Sequence, residues 1–358
     1  MNHSNLIDRV KNGIRLNQQE GEELYDLDLY RLGELADTIR REKYGKKSYF
    51  NINRHINPTN ICKDICKFCA YSATRKNPNQ YAMSHEEILS IAKKSVESGA
   101  KEVHIVSAHN PEVGLEWYMG AFRKVKETYP HLHVKALTAA EVDFLAREHG
   151  MSYDEVLDLM IESGVDSMPG GGAEIFDEDV RDFICRGKVT SDQWLDIHRK
   201  WHQRGRMSNV TMLFGHVEER RHRIDHMLRL RDLQDETGGF NAFIPLVYQR
   251  DNNYLRVQEY PTGQEILKTY AISRILLDNI PHIKAYWVTA SIGLALIAQE
   301  FGADDLDGTI EQESIQSAAG AASSQGMKLD EFIGLIRNSG FTPVERDSLY
   351  SELKVYDR

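Results

Sequence analysis

From residue 49 onwards, short apolar runs alternate with longer stretches whose apolar positions recur at helical spacing. The short runs predict strands over 49–53, 102–107, 133–137, 165–168, 209–214, 241–247 and 283–289, with a weaker eighth over 306–310. The longer stretches predict helices over 84–98, 115–128, 140–162, 173–184, 191–204, 218–236, 263–278 and 291–301. Ser84 with Glu87 three residues later has the form of a capping box, and Gly99, Gly164, Gly205, Gly238 and Gly302 follow helical runs as terminating glycines do. Eight βα units in series predict an α/β fold of the (β/α)8 TIM-barrel type rather than an open doubly wound sheet. Upstream, Leu24, Leu27, Leu29, Leu32, Leu35 and Ala36 form a helical stripe among charges. The expected organisation is an N-terminal helical extension over 1–48, the barrel over 49–340, and a charged tail over 341–358 packing on it.

Composition narrows the class of function. Apolar residues make up 41% of the 358 and charged residues 27%, enough for a large core and a wet surface. No run of eighteen apolar residues is present, so no membrane-spanning helix is expected. The first residues lack a basic stretch followed by an apolar block, which points to a cytoplasmic protein. With 54 acidic against 44 basic residues the net charge is -10, which weighs against nucleic-acid partners. The run Arg220-Arg221-His222-Arg223 reads as a solvated helix face in so acidic a chain.

In a TIM-type barrel the functional groups come from loops after the strands. The ends of successive predicted strands lead into Cys62, Cys66 and Cys69, then His109 and Asn110, then Thr138 and Glu141. Gly170-Gly171-Gly172-Ala173-Glu174 follows, then Gly215-His216-Val217-Glu218, then Gln249 and Arg250. Glycines and polar groups at every strand end are what a rim-mounted site requires.

Three of the four cysteines fall in the C-x3-C-x2-C loop Cys62-Lys63-Asp64-Ile65-Cys66-Lys67-Phe68-Cys69, and the fourth, Cys185, stands alone. Soft thiolates select zinc, copper(I) or iron–sulfur clusters. Structural zinc usually takes four ligands, and a second pair is missing here. A structural zinc loop completed by a distant histidine is the plain alternative, but the spacing is more specific than a single C-x2-C. Three cysteines on a [4Fe-4S] cluster leave one iron open for chemistry.

This loop, with Phe68 before the third cysteine and Tyr71 after it, resembles the signature of the radical S-adenosylmethionine enzymes. The resemblance covers most of residues 49–300 and is close to the aminofutalosine synthase family of menaquinone biosynthesis. It is carried by Asn57-Pro58-Thr59-Asn60-Ile61-Cys62, Lys135-Ala136-Leu137-Thr138-Ala139-Ala140-Glu141 and Pro169-Gly170-Gly171-Gly172-Ala173-Glu174-Ile175-Phe176, then by Ile184-Cys185 and Lys188-Val189. Thr211-Met212-Leu213-Phe214-Gly215-His216-Val217-Glu218 and Gln234-Asp235-Glu236-Thr237-Gly238-Gly239-Phe240 extend it. The family departs from this chain after the second strand, where relatives have Gly-Gly and this sequence has Ser107-Ala108.

The resemblance implies a [4Fe-4S] cluster on Cys62, Cys66 and Cys69, with S-adenosylmethionine consumed as cosubstrate. It places Phe68, Tyr71, Gly215 and Glu218 near the adenine, Ser107 at the methionyl amino group, and Glu174 at the ribose or that amine. The implied reaction adds the 5′-deoxyadenosyl radical to 3-[(1-carboxyvinyl)oxy]benzoate, giving 6-amino-6-deoxyfutalosine, methionine and bicarbonate. A low-potential electron donor such as flavodoxin or ferredoxin is the implied protein partner. The sister dehypoxanthine futalosine cyclase is the first alternative, and a noncatalytic iron–sulfur or zinc protein is the second.

Other rim residues are weighed as single side chains. Arg75 and Arg250 are candidates for substrate carboxylates, since a guanidinium fork matches a carboxylate, although solvation is the commoner fate of an arginine. Lys135 sits in an otherwise apolar strand, so it faces either a charged partner inward, with substrate among the options, or solvent. Thr138 joins the substrate-binding candidates. His109, Glu141 and His216 are the candidates for catalytic groups, with helix capping as the competing reading for an acid at a helix start.

Overall fold

The computed structural model describes residues 3–74, 76–310, 314–321 and 326–357. Three N-terminal helices, α1 (His3–Lys11), α2 (Gln18–Glu23) and α3 (Leu29–Tyr44), precede the first strand. Asn17 and Asp28 cap α2 and α3 with their side-chain oxygens. Helix α3 packs along a later helix of the barrel, and Lys268 donates to the carbonyls of Tyr25 and Leu27 at 2.6 and 2.7 Å.

Strand one is bent at Ile52 into β1 (Lys47–Asn51) and β2 (Asn53–Ile56). After α4 (His85–Glu97) comes β3 (Glu102–Ile105), and after α5 (Leu115–Thr128) comes β4 (His133–Ala136). Helices α6 (Ala139–His149), α7 (Tyr153–Glu162), α8 (Glu178–Cys185) and α9 (Ser191–Gln203) lead to β5 (Ser208–Phe214). Then follow α10 (Arg220–Thr237), β6 (Phe240–Val247), α11 (Gly263–Leu276), β7 (His282–Ile283), α12 (Trp287–Ala290), α13 (Ile292–Ala298) and β8 (Asp305–Gly308). The chain ends with α14 (Ile315–Ala318), α15 (Leu329–Asn338), β9 (Thr342–Arg346) and β10 (Glu352–Val355).

Every barrel pairing is parallel: β2 with β3, β3 with β4, β5 with β6, β6 with β7, and β8 with β1. Single bridges close the gaps, Lys135 to Ser167, Met168 to Ser208, and Lys284 to Asp305. Following these pairs returns to the start, so the sheet is a closed eight-stranded ring with its fourth strand reduced to a pair of bridging residues. Strand β9 runs parallel beside Lys47–Phe50 and β10 folds back antiparallel on it, extending the lower edge of strand one.

Four of the predicted boundaries move, each for a local reason. The predicted helix 140–162 is two helices, because Gly150 turns left-handed at φ +62° and Ser152 starts a new capping box with Glu155. The run 173–184 is helical only from Glu178, where the Asp177 carboxylate accepts from Val180 N at 2.9 Å; its first residues cross the rim as bends and irregular chain. The strand 165–168 survives only as bridges, because Pro169 and the three glycines take the chain out of the ladder. The apolar run 283–289 is strand only at its start and then a buried helical turn, a case that an apolar run alone does not distinguish.

The barrel interior is not wholly apolar. Lys135 Nζ meets Glu102 at 2.7 Å, Lys284 meets Asp307 at 2.8 Å, and Arg346 from β9 meets Asp305 at 2.7 Å, all buried. No described helix is long and apolar enough to cross a membrane.

Candidate active site

The cysteine loop is built on polar side chains at the end of β2. Asn57 Nδ2 donates to Val106 O at 3.0 Å, Thr59 Oγ1 to Tyr81 O at 2.7 Å, and Asn60 Nδ2 to Asn79 O at 3.0 Å, while Asn60 Oδ1 accepts from Tyr81 N at 2.8 Å. Asn110 Nδ2 ties the next rim loop to Thr59 at 3.0 Å. The Asn-Pro-Thr-Asn segment thus folds the loop base. Cys62 N donates to Ala73 O at 3.2 Å and Lys63 N to His109 O at 2.9 Å, which fixes the loop against the barrel mouth.

Cys62, Cys66 and Cys69 are free, half-buried thiols that line one cavity with Phe68, Tyr71, Ser107 and His109. Thr138, Gly170 to Gly172, Glu174 and Lys188 line it as well. Gly170 has to be glycine, because a Cβ there would come within 2.5 Å of the Val210 backbone. Burial pushes the Cys62 and Cys66 thiols up, in the direction that metal coordination opposes.

Two acid–base pairs stand at the mouth. Glu174 holds Lys188 at 2.6 Å, with its backbone in the left-handed region at φ +48° and its carbonyl accepting from Leu213 N at 2.7 Å. Burial opposes the charge on Lys188, but Glu174, Cys66 and Cys185 together raise it well above the usual lysine range. Asp64 lies 2.7 Å from His109 Nδ1, and the His109 ring stacks on Phe144 at 4.9 Å. Burial pushes Asp64 up, but His109 more than offsets this and holds it below the usual carboxylate range. Lys188 and Asp64 are the principal residues that sequence reasoning missed. Their partners lie 14 and 45 positions away in the chain, and no local pattern marks them.

Several candidates are committed elsewhere. Glu141 accepts from Thr138 N at 2.7 Å, Thr138 Oγ1 at 2.8 Å and Ser107 N at 2.8 Å, locking two strand ends together. Glu218 accepts from Gly215 N at 2.7 Å, His216 N at 2.9 Å and Arg223 Nε at 2.7 Å, and thereby shapes the turn after β5. His216 is buried with Nε2 3.1 Å from Leu213 O, and burial lowers it. Lys135 is paired with Glu102 inside the barrel, and Arg250 stands at the outer rim over the Tyr260 ring. None of Glu141, Gly215, His216, Glu218, Lys135 and Arg250 lines the cavity. Arg75 lies outside the described residues. Arg220, Arg221 and Arg223 each pair with an acid, Glu265, Glu219 and Glu218 respectively.

Among the described residues, no three His, Cys, Asp or Glu side chains converge as one metal ion requires. Thiolates on a single zinc stand about 3.8 Å apart, from Zn–S bonds of about 2.3 Å in a tetrahedron. A four-iron cluster binds each thiolate on a separate iron, and a donor set of three soft sulfurs at a cavity mouth fits such a cluster with one iron left open.

Residues 56–230 match the radical SAM superfamily, and residues 237–357 match the CofH/MqnC C-terminal region. The chain is 41% identical to the aminodeoxyfutalosine synthase of Thermus thermophilus, over 99% of this chain and 96% of the relative. It is 40% identical to the enzyme of the same name from Streptomyces coelicolor, over 98% and 94%. The chain belongs to the radical S-adenosylmethionine superfamily and, within it, to the aminodeoxyfutalosine synthase family. It is an enzyme, and its cofactors are a [4Fe-4S] cluster and S-adenosylmethionine. The cyclic dehypoxanthine futalosine synthase of S. coelicolor is 36% identical over 98% of this chain and 89% of its own. Among solved structures, the hydrogenase maturase HydG of Carboxydothermus hydrogenoformans aligns with a TM-score of 0.76 at 16% identity, over 97% of this chain and 80% of its own. Methylornithine synthase aligns with a TM-score of 0.75 at 17% identity, over 94% and 97%. These two likenesses bear on the fold alone.

Proposed function

We propose that this chain is an aminodeoxyfutalosine synthase, adding the 5′-deoxyadenosyl group of S-adenosylmethionine to 3-[(1-carboxyvinyl)oxy]benzoate. The products are 6-amino-6-deoxyfutalosine, methionine and bicarbonate. The observation that carries this reading is the three-cysteine loop at the mouth of the barrel cavity, in a chain similar to the synthases over nearly its whole length. Cys62, Cys66 and Cys69 would hold the cluster, which would supply the electron for reductive cleavage of the sulfonium.

The chain's own residues orient and enclose. Phe68 and Tyr71 flank the cysteine loop as flat apolar surfaces for the adenine. The Tyr71 hydroxyl is held 2.5 Å from that of Tyr81, which fixes the ring. Glu174 and Lys188 offer one acid and one ammonium to the zwitterionic methionyl end and the ribose, and the Ser107 end of β3 offers backbone groups there. Val106, Ala108, Ala140, Pro169, Ile244 and Leu246 form an apolar wall that excludes water from a reactive radical. Thr138 and the imidazoles of His55 and His104 line the remaining wall and receive the substrate carboxylates; burial holds His104 neutral. The reductant is a low-potential carrier of the flavodoxin or ferredoxin class, and the working compartment is the cytoplasm.

The test is anaerobic reconstitution with iron and sulfide, then turnover with dithionite, S-adenosylmethionine and the enolpyruvyl benzoate. Mass spectrometry should find aminodeoxyfutalosine. Release of 5′-deoxyadenosine with no adduct would reject the synthase reading and favour hydrogen abstraction, the chemistry of the sister cyclase.

A further inference from the structure

A site driven by an electron from outside needs a surface where the carrier sits close to the cluster loop. The half-buried middle cysteine is flanked in the chain by Ile65 and Lys67. The side chain of Ile65 is 78% exposed, unusual for an isoleucine. Lys67 is where three segments meet. Its N–H donates to Ile184 O at 2.8 Å, and its carbonyl accepts from Tyr254 N at 2.7 Å and Leu255 N at 2.8 Å. Beside those contacts Phe183 is 50% exposed and Tyr254 79% exposed. The Lys67 ammonium sits 3.4 Å from the centre of the Phe183 ring. Three large apolar side chains from three separate segments are thus gathered, uncovered, around the residue that follows Cys66. Clustering of this kind marks a contact surface, whereas scattered exposure does not.

The charge of the face points to its partner. The described residues between 65 and 85 carry Lys67 and Lys76 and no acid, in a chain with a net charge of -10. Two of the acids adjoining the face are answered, Asp182 by Arg186 at 2.7 Å and Glu148 by Lys63. A locally basic rim around an apolar centre complements an acidic protein with an apolar prosthetic edge. A flavin-bearing carrier presents such an edge, the dimethylbenzene ring, which suits Phe183 and Tyr254 better than a polar iron–sulfur loop does.

We infer that Ile65, Phe183 and Tyr254, rimmed by the basic cysteine loop, form the docking face for an acidic flavin-bearing electron carrier. This rests on the reading that the site is reduced from outside, and it adds the place and chemistry of the partner.

The test uses anaerobically reconstituted protein and purified flavodoxin. Affinity is measured by calorimetry at low and high salt, and turnover is measured with flavodoxin and, separately, with dithionite. Phe183→Asp and Tyr254→Asp should each weaken flavodoxin binding at least tenfold and raise its KM in proportion. Dithionite-driven turnover should stay within twofold of the parent. Leu353→Asp, an exposed apolar site on β10, should leave both unchanged. Parent affinity should fall as salt rises. Parental flavodoxin affinity in both variants, a salt-independent affinity, or preference for ferredoxin over flavodoxin would each overturn the docking face. Loss of the dithionite reaction in the parent would reject the proposed function, while calorimetry would still decide the docking face.

Discussion

The barrel carries buried acid–base pairs at both its mouth and its floor, and they are built differently. On the floor, Lys135–Glu102 and Lys284–Asp307 join adjacent strands, and Arg346 reaches from β9 across β1 to Asp305 on β8, at 2.7–2.8 Å. At the mouth, Glu174–Lys188 and Asp64–His109 join segments that have left the strands, at 2.6 and 2.7 Å. The surroundings differ as well. Lys135 has Lys284 and Arg346 as its further charged neighbours, and both repel it. Lys188 is held charged chiefly by Glu174, with the thiols of Cys66 and Cys185 as further neighbours. Burial alone would push Glu102 up, yet Lys135 holds it well below the usual range. Lys135 has Glu102 alone as a partner of opposite charge, whereas Asp307 and Arg346 each have a second one, and Asp307 also lines the cavity. The strand pairs hold the barrel together, and the loop pairs stand beside the cysteines.

The largest contrast comes from the thiols. Cys66→Ala should abolish product formation and the visible absorbance of the reconstituted protein, with the melting temperature of the metal-free protein nearly unchanged. Cys185→Ala, buried a short way behind, should keep both. A Cys66→Ala variant with full turnover would remove the basis of the mouth assignment.

On the floor the expected effect is on stability. Glu102→Gln leaves a buried lysine facing two cations and should cost about 3–5 kcal/mol in denaturant titration. Replacing both partners, Glu102→Leu with Lys135→Met, should recover most of that loss. At the mouth, Glu174→Gln should lower turnover and S-adenosylmethionine affinity while costing only about 1–2 kcal/mol. Equal stability losses at the two sites would erase the distinction.

The two regions also differ in how far they could be read from the sequence. The barrel was legible from eight alternations of apolar run and amphipathic stretch, and the mouth from its cysteine spacing. The roles of the acids were only partly legible. Thr138-x-x-Glu141 is a capping-box pattern in plain view, and the structure uses it so. The clasp by Glu218 was foreshadowed by its place three residues after Gly215. The partner of Lys135 was not legible, because Glu102 lies one strand away and strand register is not written in local sequence. The same holds for Lys188, whose meeting with Glu174 depends on where α8 begins.

A smaller effect is expected where backbone shapes the mouth. Gly215 adopts φ +87°, and a Cβ there would meet Pro261 at 2.5 Å. Gly215→Ala combines left-handed strain with overpacking and should cost roughly 2–3 kcal/mol. Because Gly215 N is one of the donors to Glu218, the same variant should loosen the turn after β5. Amide exchange at 215–218 would report this, and an unchanged exchange rate would show that the clasp holds without the glycine.

The smallest effect separates both charged regions from the neutral packing between α9 and the sheet. His202 is buried between Thr237 Oγ1 and Ser208 Oγ, each at 2.7 Å, and burial lowers it to about 4. His226, against Phe176 at 3.9 Å, is lowered by burial to about 3. Between those values and an unfolded value of about 6.5, the unfolded chain binds more protons than the folded one, so stability rises with pH. Acidification from pH 6.5 to 5 should therefore cost up to about 2 kcal/mol for each of these histidines. Glu102, Glu174 and Asp307 have lowered values, so their stabilisation is complete above the unfolded carboxylate range and is lost only as pH falls below it. Glu141, which burial pushes up, acts in the opposite sense, but it is common to parent and variant. Denaturant titrations of the parent and His202→Gln at pH 6.5 and pH 5 isolate the histidine. The variant should be less stable at pH 6.5 and show the shallower pH dependence. Parallel pH profiles would take the slope between pH 6.5 and 5 away from His202 and assign it to the other histidines that burial lowers, His104, His198, His216 and His226.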